Sequence, residues 1–186
     1  MNLYFGVCTS GFAAGFWLGE DTTIAHMDTA TASILARLIR SQRVAALGTL
    51  RQGAPLVSMV LYLPSEDFTA FFLHVSRLAW HTQDMLADGR VSLSIAATDD
   101  GARNPQILER VSVRGEALPV LDDPARHEDL KVRWLARFPE SAINFELADF
   151  LFFRVAPRDA RFVAGFGRIH NLSAAALAEA SAHGSN

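Results

Sequence analysis

The chain opens its periodic part at residues 29–42, where Ile34, Leu35, Leu38 and Ile39 recur at helical spacing behind Thr29 or Thr31 as possible caps. Two apolar runs follow, 43–51 and 55–63, separated by Gln52-Gly53-Ala54-Pro55, which predicts a β-hairpin. After Pro64-Ser65-Glu66-Asp67 a third strand is expected over about 68–75. Leu78, Thr82, Met85 and Leu86 then fall on one face of a short helix ended by Asp88-Gly89. Residues 90–97 set Val91, Leu93 and Ile95 against Ser92, Ser94 and Ala96, the alternation of a half-buried strand. Beyond a polar loop at 98–105 comes a strand over 107–119, then a helix opened by Asp123-Pro124 and stopped by Pro139, with Leu130, Trp134 and Phe138 facing inward. Strands at 150–156 and 160–166, joined by a turn at Pro157-Arg158-Asp159, and an Ala-rich helix from Ser173 complete the pattern. Consecutive strands on short connections predict antiparallel pairing, and six or seven of them predict a mainly β fold, a barrel with flanking helices.

Length and composition narrow this. At 186 residues, half of them hydrophobic, the chain has material for one full core and one domain. A formal net charge of −3 gives no footprint for nucleic acid, so an anionic ligand would need a local basic site. Cys8 is the only cysteine, which excludes an internal disulfide framework and a cysteine-rich metal site and suits a reducing cytoplasm. Lys131 is the only lysine among seventeen basic residues, and it sits in an expected exposed helix, so Schiff-base chemistry is not expected. The first nineteen residues are apolar and uncharged, as in a signal or anchor. A signal needs a basic start, however, and the first Arg or Lys is Arg37. Gly6, Gly11, Gly15 and Gly19 also break the run, so no membrane span is expected. With a fresh helical start after Met27, residues 1–26 are read as an extension contributing little to fold or ligand binding, 27–172 as the domain and 173–186 as a terminal helix and tail.

The segment most able to carry chemistry is FFLHVSRLAWHTQDMLADGRVSL, residues 71–93. A strand ends at Val75, and Ser76-Arg77 stands where the next helix is expected to begin. Unpaired amides there, with an added arginine, suit a phosphate. His81 and Thr82, one turn on, could add donors. The same residues also read more simply: Ser76 as an N-cap, Arg77 paired with Asp84, His81 on the surface. His26, His74 and His127 lack partners at ligand spacing and read as structural. Asp99-Asp100 and Asp122-Asp123 read as loop and cap, and no metal site is expected.

SRLAWHTQDMLADGRVSL resembles the corresponding segment in the haem-utilisation branch of the pyridoxamine 5'-phosphate oxidase-like family, the FMN-binding split barrels. GAPLVSMVLYL before it, LERVSVRGEA after it and ARFVAGFGRIHNL near the end agree in order, over about residues 30–175. The resemblance implies an antiparallel split β-barrel whose homodimer holds FMN at the subunit interface. It implies that Ser58, Met59 and Val60 lie along the flavin ring. Val75, Ser76, Arg77 and Leu78, with His81 and Thr82, would hold the ribityl chain and phosphate, and Arg110 would help complete the site. The activity implied is an FMN-dependent oxidoreductase acting on a small-molecule redox substrate, with no residue assigned as acid, base or nucleophile.

Departures from the family pattern qualify that activity. True pyridoxamine-phosphate oxidases carry an arginine and a lysine where Ser58 and Tyr62 stand, an Arg-Lys pair in place of His81-Thr82, and a C-terminal Trp/Arg block with no counterpart here, so vitamin B6 oxidation is not expected. Haem-degrading members use a late histidine as iron ligand. His170, where the family usually has an aromatic, reads as a packing position, and His183 reads as a solvated tail residue. Haem binding or degradation on the same fold is the alternative function, and a non-enzymatic flavin-binding module is a third.

Overall fold

The structure, a computed structural model, describes residues 27–121 and 124–184. The extension expected over 1–26 and the cap expected at Asp122-Asp123 lie outside the described residues.

Helix α1, Thr29–Ser41, is capped by Asp28, whose carboxylate accepts from the Thr31 N–H at 2.7 Å, and it buries Ala32, Leu35, Ala36, Leu38 and Ile39. Strands β1, Val44–Arg51, and β2, Ala54–Leu61, form the expected hairpin. Its turn is the two residues Gln52 and Gly53, both at positive φ (52° and 82°), the left-handed pair that a tight hairpin requires. The two-residue β3, Leu63–Pro64, pairs with β4, Phe71–Ser76. The expected strand start at 68 gives way to a turn, with Phe68 at φ 55° and Asp67 accepting from the Ser65 hydroxyl and the Thr69 N–H. Strand β5, Arg90–Ala96, and helix α3, Pro124–Arg137, follow as the pattern predicts, with a 3-10 segment, Pro139–Glu146, after α3. Helix α2, Trp80–Ala87, begins later than the start expected at Ser76-Arg77. Strand β6, Arg110–Pro119, begins later than the expected 107 because a 3-10 turn, Pro105–Ile107, precedes it.

The last part of the sheet differs from expectation. Instead of a hairpin at 150–166, Phe150–Val163 is one strand, β7, followed by β8, Ile169–Ser173, and α4, Ala174–Ala180. Pro157-Arg158-Asp159 is a bulge, not a turn. Arg114 pairs with Asp159 and Gly115 with Pro157, leaving Arg158 as the extra residue. Pro157 has no N–H to offer the ladder, and the bulge accommodates it. Gly115 is needed opposite, because a Cβ there would lie 2.2 Å from the Ala156 carbonyl oxygen.

All pairings are antiparallel, in the order β2-β1-β5-β6-β7-β4-β3, with β8 added to β7. This is the split barrel. Leu47, Leu73, Leu93, Ile95, Val111, Val113, Phe153, Val155 and Phe162 fill its interior without measurable exposure. A second core lies outside it, where α3 and the 3-10 segment close Leu130, Trp134 and Phe138 over Phe72 and Phe152. β4 and β7 are therefore buried on both faces, which is why FFLHV and FLFF carry apolar residues without alternation.

His74 lies in this second core, 8% exposed, stacked on Phe145 at 4.2 Å and tilted against Phe152 at 4.5 Å, with Nδ1 unpartnered. Burial, with His127 adding to it, pushes its imidazole down to about 4. Between that value and the ordinary one near 6.5, the unfolded chain binds a proton that the folded chain does not. Stability therefore falls as pH drops through this window, by on the order of 3 kcal/mol in all. His74→Phe keeps the ring stack and removes the proton. Urea denaturation at pH 7 and pH 4.5 should show the loss in the wild type and about 2 kcal/mol less of it in the variant.

Candidate functional site

The expected site residues fall in two places. Nine of the ten belong to the elements around one corner, where Val75, Ser76, Arg77, Leu78, His81 and Thr82 come from the end of β4, the turn after it and α2, and Ser58, Met59 and Val60 come from β2. β2 packs against both β4 and α2. On it, Ser58 and Val60 pair with Leu47 and Ala45, the barrel-facing residues of β1, and Met59 stands on the opposite face with Val57. Val57 and Met59 are each 70% exposed, on a strand that is the end of the sheet order.

The corner is not built as a helix N-terminus at Ser76. Helix α2 begins at Trp80, after Ala79, and the residues before it form a turn that satisfies its own amides. The Arg77 N–H donates to the Asp149 carbonyl at 2.7 Å, Leu78 N–H to Ser76 Oγ at 3.1 Å, and Ala79 N–H to the Ser76 carbonyl at 3.1 Å. Ser76 Oγ in turn donates to the Asp149 carboxylate. The Arg77 side chain is exposed and has no partner among the described residues. Val75 and Thr82 are buried, the Thr82 hydroxyl without a partner. Burial pushes the His81 imidazole below its usual range, with Asp84 pulling the other way, so near neutral pH it is an uncharged donor or acceptor.

Helix α2 is fixed to the barrel by Asp84, not by Arg77. The buried Asp84 accepts from Thr49 Oγ1 and from the Arg51 guanidinium, each at 3.0 Å, and Arg51 lies 4.3 Å above the Trp80 ring. Tyr62, where true oxidases carry a lysine, is fully buried and donates to the Ile39 carbonyl at 2.7 Å, a tie between strand and helix.

Arg110 lies apart from these residues. It lines a cleft of about 560 Å³ with Gln106, Val163, Phe166 and Ile169, and none of the other expected residues lines it. Its Nη1 donates to the carbonyls of Gln106 and Leu108 at 3.2 and 3.1 Å, and no acid among the described residues pairs with it. Phe166 is 83% exposed between Gly165 and Gly167. His170, next to Ile169, turns toward Phe162, with ring centroids 6.2 Å apart and both nitrogens buried without partners. The sequence reading of it as a packing position agrees with this contact, and among the described residues no histidine lines the cleft. Among the described residues, no group of three or more His, Cys, Asp or Glu is placed to hold a metal, and no helix is long and apolar enough to cross a membrane.

Sequence reasoning missed Asp149 and the Arg51–Asp84–Thr49 group. Asp149 meets Ser76 from 73 residues away, and an acid ahead of a strand carries no local signal of such a contact. The i, i+2 pair Thr49 and Arg51 on one strand, opposite an acid on an apolar helix face, was the available sign of the other group.

Comparison with known proteins places the chain. A family profile described as pyridoxamine 5'-phosphate oxidase matches residues 33–164. The chain is 34% identical over 116 residues to the chloroplastic non-canonical haem oxygenase HOZ of Arabidopsis thaliana, covering 61% of this chain and 33% of that protein. It is 25% identical over 123 residues to the haem oxygenase HutZ of Vibrio cholerae, covering 66% of this chain and 69% of that one. The chain thus spans about a third of the plant relative's length. The fold matches the structure of a haem-binding protein from Mycobacterium smegmatis with a TM-score of 0.72 at 23% identity, over 82% of this chain and 62% of that one.

The α2 anchor is open to direct test. Asp84→Asn removes a buried charge that two donors serve, and it should lower unfolding stability by about 2 kcal/mol in urea denaturation. Arg77→Ala in the same assay should change it by less than about 0.5 kcal/mol, since Arg77 holds no partner among the described residues.

Proposed function

Since the chain belongs to the pyridoxamine 5'-phosphate oxidase family, on its haem-utilisation branch, we propose that it is a haem-binding, haem-degrading utilisation protein. The observation that carries this is the pair of relatives named as haem oxygenases, matched over 116 and 123 residues of this chain. The Arg110 cleft is chemically suited to the ligand. Val163, Phe166 and Ile169 offer apolar surface to a flat macrocycle, and the Arg110 guanidinium, free of any acidic partner among the described residues, suits a propionate carboxylate. Haem would bring the iron chemistry. The chain's residues would orient the ring, fix its acidic edge and exclude water.

The second reading is an FMN-dependent oxidoreductase with the flavin between two subunits. Arg77 favours it: an exposed cation without a partner among the described residues, in the turn between β4 and α2, the two elements against which β2 packs. Both readings use a homodimer, and Val57 and Met59, exposed on the sheet's edge strand, support one.

Titrating hemin into the purified chain should produce a Soret band that saturates with added hemin. Arg110→Ala should weaken binding roughly 10-fold or more through loss of a charge-assisted bond. An unshifted hemin spectrum sinks the haem reading, and flavin fluorescence quenched on addition of FMN would favour the second.

By light scattering the wild type should be a dimer at micromolar concentration. Met59→Lys with Val57→Lys should shift it toward monomer, because two charges would replace the apolar pair. A dimer unaffected by both substitutions would move the interface elsewhere.

A further inference from the structure

The corner at the end of β4 already contains an anion. Asp149 closes on it from the residue before β7, and both its carboxylate and its carbonyl take donors that an external anion would need. The Ser76 hydroxyl goes to the carboxylate, the Arg77 N–H to the carbonyl, and the Leu78 and Ala79 N–H groups to Ser76 itself. For a phosphate there remain the Arg77 side chain and the first amides of α2, next to a fixed negative charge. Like charges this close in a partly buried site repel strongly. Asp149 is half-buried, its carbonyl accepting from the Arg77 N–H and its carboxylate from the Ser76 hydroxyl, so backbone and side chain are both held at the corner.

We infer that Asp149 is the specificity-determining residue of this corner: it stands in for a phosphate, so the site discriminates against a phosphorylated flavin and accepts the uncharged one at least as well. The inference rests on the flavin reading of the corner and adds to it the class of ligand, a flavin or similar ring system with a neutral polyol end. It also gives Arg77 a defined part. With Asp149 in place, a carboxylate already stands at the same turn. With that charge removed, Arg77 becomes the cation for a dianion.

The experiment compares FMN with riboflavin, which differ only in the phosphate, by fluorescence quenching in the full chain, Asp149→Asn and Asp149→Asn/Arg77→Ala. Asparagine keeps the shape and can still accept from Ser76. Asp149→Ser is a second neutral variant should asparagine lower the melting temperature. The wild type should bind riboflavin at least as tightly as FMN. Asp149→Asn should tighten FMN by about 10-fold or more with riboflavin unchanged, and the added Arg77→Ala should abolish the gain. A neutral variant that binds FMN no better, or that shifts both flavins equally, overturns the inference and makes Asp149 a structural contact. If neither flavin binds the wild type or any variant, the flavin reading of the corner falls and this inference with it. The hemin titration is independent of both.

Discussion

The strand β7 is the constraint on which the rest of the structure depends. It runs fourteen residues and keeps β6 beside it from Phe153 to Val163, while its other neighbour changes from β4 to β8. That exchange requires the bulge at Arg158, and the bulge requires a residue without a Cβ at Gly115, pressed against the Ala156 carbonyl. The ladder closes the barrel on one side and carries the second core on the other. Both candidate sites sit at its ends. Asp149 and Phe150 enter beside Ser76, while Val163 leaves beside Arg110 and Ile169. At about 3.3 Å per residue, roughly 40 Å of strand separates them. A ligand that used both would therefore take one end from each of two chains, which ties the proposed dimer to the proposed shared site.

Where local chemistry decides the structure, the sequence was readable. The α1 stripe, the Gln52-Gly53 turn and the alternation of β5 all follow from spacing within a dozen residues, and each stands where the pattern puts it. β7 was not readable, because Pro157-Arg158-Asp159 has the composition of a turn and only the partner strand makes it a bulge. β8 was hidden for a related reason. Gly165-Phe166-Gly167-Arg168 is the turn leading into it, and Ile169–Ser173 alternates too briefly to stand out without β7 alongside. The helix start moved from Ser76 to Trp80 because Ser76 caps a turn of its own.

The site was legible in the same proportion. Residues 75–82 are brought together because they are consecutive, and β2 joins them because a hairpin fixes its register. The charge of the corner was not legible. It depends on Asp149, which arrives through the barrel's longest-range pairing, and on Arg51 taking Asp84 away from Arg77. The residues gathered at the corner thus followed from sequence, but which of their donors remain free did not.

The arm between β6 and β7 links the stability of the fold to the chemistry of the corner. Helix α3 and the 3-10 segment reach back over β4 and place Phe145 on the His74 ring, and the chain then delivers Asp149 to Ser76. His74 and Ser76 are alternate residues on one strand and so share a face. The aromatic stack and the acid–hydroxyl contact are neighbouring grips of a single arm. Charging His74 costs the stack its neutral ring, and it does so next to the residues that hold Asp149 in place. The acid's position, and through it the charge of the corner, therefore depends on a packed aromatic core and not on the exposed turn alone. A substitution that loosens that core should reach the corner without touching it.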